Sequence, residues 1–274
     1  MGTQHHDYHL VDPSPRPLIT AFAAFFMALG GAFFMSDAYK MYGKVLLPLG
    51  TIAVLWSVYM WWKDVIKEGM VDKAHTSIVQ KGLRLGMILF IVSEIMFFFA
   101  FFWSFFKAFL APVGVLGDDG IWAGAAGIWP PEGIVTFDPW DLPLINTLVL
   151  LLSGTTVTWA HHALLNNDRK SLITGLSLTV ALGVAFSLLQ ALEYSHAAFG
   201  FTDGIYASNF YMATGFHGLH VILGTIFLAV CLVRAMRDQF TPENHLGFEF
   251  AAWYWHFVDV VWIFLFVWVY WIGA

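Results

Sequence analysis

Ile88-Leu89-Phe90-Ile91-Val92-Ser93-Glu94-Ile95-Met96-Phe97-Phe98-Phe99 lies inside a longer run, Leu85 to Phe106, in which Glu94 is the one ionisable side chain. A helix of about 20 mostly apolar residues crosses the ~30 Å hydrocarbon core of a bilayer, so this run reads as a transmembrane helix. Glu94 then sits near the middle of the slab. A carboxylate there costs roughly 2.5 to 3.5 kcal/mol on insertion scales, and is kept only with a partner, a cavity or a task.

Working outward, six more segments qualify as spans, giving roughly 18–36, 45–62, 85–106, 142–164, 172–197, 207–233 and 248–273. The expected fold is therefore all-α, a polytopic membrane protein of seven transmembrane helices. Composition agrees: 59% of the 274 residues are hydrophobic, 18% aromatic and only 12% charged, against about 25% charged in soluble domains. The net charge of −6 is dispersed over loops, which argues against a nucleic-acid partner. No basic-flanked apolar stretch with a small-residue cleavage site opens the chain, so no segment is expected to be removed. The single cysteine, Cys231, excludes an internal disulfide and any CxxC motif.

Seven spans place the termini on opposite sides. One side receives Arg16, Lys63, Lys67, Lys73, Lys81, Arg84, Arg169, Lys170, Arg234 and Arg237, and the other only Lys40, Lys44 and Lys107. Positively charged loops stay inside, so the N-terminus is expected in the cytoplasm (or matrix) and the C-terminus across the membrane. The composition shift at 63–84 divides the chain into a tail (1–17), a two-helix membrane unit (18–62), a charged connection (63–84) and a five-helix unit (85–274). Outside, 107–141 contains Trp129-Pro130-Pro131 and Asp138-Pro139-Trp140, where prolines stop helices and tryptophans suit the interface.

Several titratable groups fall inside the spans: His161, His162, His217, His220 and His256, with Glu193-x-x-His196 and His256-x-x-Asp259 at one-turn spacing. A di-iron carboxylate bundle needs two Glu-x-x-His elements and two further helix glutamates, and only one such element is present. Histidines that hydrogen-bond across helices are the better reading. For Glu94 three readings stand: a proton carrier, a protonated acid bonded to a neighbouring helix, or an acid paired with one of the histidines. Its own helix adds only Ser93 and Ser104, which weakens the first. Lys63, Lys67, Lys73, Lys81 and Arg84, with Trp61, Trp62 and His75, form a basic, tryptophan-flanked group suited to anionic headgroups. His5, His6 and His9 with Asp7 make a small titratable cluster on the tail.

Trp159-Ala160-His161-His162, Leu189-Gln190-Ala191-Leu192-Glu193-Tyr194, Ala213-Thr214-Gly215-Phe216-His217-Gly218-Leu219-His220 and Phe248-Glu249-Phe250-Ala251-Ala252-Trp253-Tyr254-Trp255-His256 resemble subunit III of cytochrome c oxidase. Trp61-Trp62-Lys63-Asp64 and Val92-Ser93-Glu94 resemble it too. The resemblance implies a two-helix and a five-helix unit with a lipid-filled cleft between them. It implies lipid contacts at Trp62, Glu68, His75, Arg84 and Arg234, a buried membrane carboxylate at Glu94, and a proton-collecting tail at His6 and His9. It implies no cofactor on this chain: haem and copper belong to partner subunits I and II, cytochrome c is the electron donor, and structural phospholipids are the ligands. The subunit would stabilise subunit I and support proton uptake while the complex reduces O2 to water and pumps protons. The corresponding subunit of a quinol oxidase is the alternative. The segment Val115 to Gly127 is longer than in mitochondrial members and points to a bacterial inner membrane.

Overall fold

The computed structural model describes residues 8, 13–110, 129–131 and 133–274. The chain runs through α1 (Arg16–Met35), α2 (Lys40–Met70), α3 (Ser77–Leu110), α4 (Leu142–Leu165), α5 (Arg169–Ser195), α6 (Ile205–Met236) and α7 (Leu246–Leu265). A π-helical turn, Phe266–Trp271, continues α7. All seven helices are long and apolar enough to cross a membrane, as the segment count anticipates. Several outrun the hydrocarbon: α2 continues to Met70 and α3 starts at Ser77, so most of the expected 63–84 connection is helical.

Local chemistry sets the ends. Pro17 and Pro143 sit in first turns, where a missing N–H breaks no helical bond. The α4–α5 turn is tight because Asn167 takes a left-handed conformation (φ 56°), which asparagine tolerates, and Asp168 caps α5 by accepting from Ser171 N–H at 3.1 Å.

The framework divides into two compact units, Met1–Leu85 and Gly86–Ala274. In the first, α1 and α2 pack along small residues: Ala23 and Gly30 on α1 and Gly43, Gly50 and Ser57 on α2 are its buried positions. A Cβ on Gly50 would lie 2.6 Å from Met27 Cα, and one on Gly43 would strike the backbone of Phe33 and Phe34. In lipid, where apolar surface gains nothing by touching another helix, close backbone approach supplies the van der Waals contact that binds helices. Arg16 Nε reaches Asp64 Oδ2 at 3.0 Å and ties the two helices at one end.

In the second unit α4, α5, α6 and α7 pack in sequence and α4 closes on α7. Of the most apolar window of α7, 61% is buried, against 6% for α3, so α7 is the centre and α3 a peripheral stave. Its buried indoles are satisfied: Trp255 Nε1 donates to Ser153 Oγ (2.8 Å) and Trp262 Nε1 to Thr147 Oγ1 (2.9 Å). Each of these two hydroxyls then donates to a carbonyl of its own helix, so neither indole N–H nor its hydroxyl partner is left unsatisfied. Phe98 and Phe105 are the large buried side chains of α3, and Phe102 meets Phe264 edge-on at 4.5 Å.

Candidate functional site

Glu94 on α3 faces His220 on α6, with Oε2 and Nε2 2.9 Å apart. His220 Nδ1 lies 2.7 Å from the Phe216 carbonyl oxygen. A carbonyl only accepts, so Nδ1 carries a hydrogen, and the contact between Nε2 and the carboxyl must contain one further proton. Whether that proton rests on oxygen or nitrogen, the pair is neutral overall, and the cost of an isolated carboxylate in hydrocarbon is removed. Phe98 (ring centroids 4.9 Å), Phe97 (6.0 Å), Phe257 (6.2 Å) and the stacked Tyr254 (6.3 Å) collar the imidazole. These rings supply no relay group beyond the Tyr254 hydroxyl. The geometry pairs Glu94 with one of the candidate histidines, His220, on a neighbouring helix.

The other titratable groups of the spans diverge. His217, one turn before His220, contacts the Val258 carbonyl through Nε2 (3.1 Å), and its Nδ1 is buried without a partner. Glu193 accepts from Tyr270 O–H at 2.6 Å, while His196 Nδ1 meets Leu192 O, so the single Glu-x-x-His does not converge. His256 Nδ1 lies 3.4 Å from Asp259 Oδ2. Among the described residues no group of three or more His, Cys, Asp or Glu side chains is arranged to hold a metal ion.

The residues expected to touch lipid fall in both units. In Met1–Leu85, Trp62 is exposed on α2, and Glu68, His75 and Arg84 are half-buried. His75 folds back on α2: a Cβ at Gly69 would lie 2.8 Å from its Nδ1, and its carbonyl accepts from Gln80 Nε2 at 3.1 Å. Glu68 O accepts the Ala74 N–H at 3.0 Å, so Glu68 and His75 belong to one turn. In the second unit Arg234 stacks over Phe240 at 4.4 Å and donates to Gln239 Oε1 at 3.3 Å. Its guanidinium thus braces the α6–α7 connection as well as bordering the surface. His6 and His9, and the segment Val115 to Gly127, lie outside the described residues. Spacing alone did not pick His220 from five intramembrane histidines, nor expose the Glu193–Tyr270 bond, because partners 126 and 77 residues apart meet only by packing.

The sequence matches the family described as cytochrome c oxidase subunit III over residues 6–274. The chain belongs to that family. A Rickettsia felis protein named probable cytochrome c oxidase subunit 3 is 60% identical over 274 residues, covering 99% of this chain and 97% of its own length. A Gadus morhua protein named cytochrome c oxidase subunit 3 is 54% identical, covering all of both chains. A Pylaiella littoralis protein of the same name is 53% identical over 270 residues, 98% of this chain and 95% of its own. The chain is a multi-pass membrane subunit of cytochrome c oxidase, a respiratory oxidoreductase complex, and the quinol oxidase alternative is not favoured.

Proposed function

We propose that this chain is the accessory, lipid-holding subunit of the oxidase. It stabilises subunit I and sustains proton uptake, while haem and copper in subunits I and II reduce O2 with electrons from cytochrome c. The observation that carries the accessory role is the Glu94–His220 pair: an acid of the membrane interior is neutralised within the chain, its histidine collared by aromatic rings, an arrangement suited to holding helices together. The exposed Trp62 and the turn of Glu68 and His75 support the lipid reading, and so do the basic side chains of Lys63, Lys67 and Lys73, all exposed at the same end. The charge partition supports a bacterial inner membrane with the N-terminus cytoplasmic, where His6 and His9 would gather protons for the uptake path.

Oxidase purified without this chain should begin turnover at a normal rate and then lose activity irreversibly within the assay; undiminished activity would overturn the proposal. Trp62→Ala should lower the phospholipid retained by the purified complex. Arg234→Lys keeps the charge but loses the planar stack on Phe240, and separates lipid attraction from bracing. Lipid content unchanged in Trp62→Ala together with Arg234→Ala would remove the lipid assignment. Slower proton uptake above pH 7 in His6→Ala with His9→Ala would support the tail assignment.

A further inference from the structure

From Gly86 onward, more than a turn and a half from any helix end, the exposed described side chains with a hydroxyl, amide or ionisable group are Ser93, Thr155, Thr158 and His256. The outward positions of α5 and α6 at that depth are apolar. Three of the four polar positions therefore sit on two contacting helices, α4 and α7, and two of them touch: Thr158 Oγ1 and His256 Nε2 are 3.1 Å apart. Thr158 also donates its hydroxyl hydrogen to Gly154 O (2.9 Å), so the His256 contact is one in which Nε2–H donates and Thr158 accepts. On its other side His256 faces Asp259, whose Oδ2 occupies the space left by the missing side chain of Gly154 and whose Oδ1 is buried without a partner.

The arrangement is built but incompletely enclosed. His256 keeps 46% of its side-chain surface open, ten residues into a helix that would otherwise meet hydrocarbon there. Ionisable side chains at such depth face protein or water rather than lipid, because each open polar edge in hydrocarbon forfeits its hydrogen bonds. Both ring nitrogens are engaged, Nε2–H by Thr158 and Nδ1 by Asp259, so the open edge presents the ring C–H groups, which are positively polarised, and its complement is an oxygen acceptor. Around it, Val260 and Leu151 give an apolar seat of the kind helix packing uses.

We propose that the face of Thr155, Thr158, His256 and Val260 receives a transmembrane helix of another oxidase subunit, and that this helix places an oxygen-bearing side chain against the His256 ring. The inference rests on the chain's being a subunit of the complex.

A benzophenone amino acid at Val260, 65% exposed, tests the face in the full complex in native membranes, with Ile226 on α6 as the comparison site. Light should join Val260 to another subunit. A product only with lipid or with a second copy of this chain, or subunit labelling from Ile226 and not Val260, would overturn the assignment while leaving membership in the complex intact. His256→Leu with Thr158→Val should still insert and should co-purify about tenfold less through a detergent wash, a factor equal to about 1.4 kcal/mol. Undiminished co-purification would overturn the role of the polar pair. A wild-type preparation in which no other subunit accompanies this chain would overturn both the inference and the reading beneath it.

Discussion

Glu94 and His220 share one proton across 2.9 Å, and variants at either end should differ in a way that reports this. In Glu94→Gln the amide N–H donates to Nε2, so the bond survives and the chain should stay in the complex at the wild-type temperature with proton pumping intact. In His220→Leu the carboxyl loses its partner inside the aromatic collar, which should cost about 1–3 kcal/mol and lower the temperature at which this chain leaves the complex. Equal loss in both variants would contradict the shared-proton description. The need for a partner at Glu94 was legible in the sequence, since one acid in an apolar run has few other fates. The identity of that partner was not: His217 and His220 are one turn apart and equally polar, and only the packing of α3 against α6 sends one to Glu94 and the other to the Val258 carbonyl.

Among the elements, α1 and α2 depend on backbone proximity rather than on side-chain apolarity. Gly30→Ala would push a methyl into the backbone of Leu46 and Leu47, whereas the Cβ of Gly31→Ala meets nothing within 4 Å. The first should loosen the pair, read as faster proteolysis or weaker interhelix disulfide trapping. The second should be neutral or stabilising by up to about 1 kcal/mol, the helix propensity gained. The helices themselves follow from length and hydropathy, yet the seam does not, because neighbouring glycines with identical local sequence character differ only in what lies across from them. At the start of α5 the Ser171 hydrogen bonds, side chain first and then backbone, hold the Asp168 carboxyl below its ordinary range. A depressed acid stabilises above its unfolded pKa and loses that contribution as pH falls through the folded value. Amide protection in the first turn of α5 should therefore weaken only in acid, and Asp168→Asn, which still caps, should remove the pH dependence.

For the whole molecule, the sequence by itself determined that this is a seven-helix membrane protein of the subunit III family, because spanning a bilayer demands long apolar runs that any reading of composition finds, and because its motifs are distinctive. It also marked the residues too polar for their surroundings: Glu94, Glu193, His217, His220, His256 and Asp259. Their destinations were decided by the tertiary structure alone. Two are bonded across helices, to His220 and to Tyr270; one reaches a main-chain carbonyl; and the His256–Asp259 pair remains half open beside Thr158 on the α4–α7 face. The physical reason is the range of the two kinds of constraint. Hydropathy acts on each segment separately and is written along the chain. A hydrogen bond acts over about 3 Å between atoms that the chain separates by as many as 126 positions, so it exists only once the helices have packed.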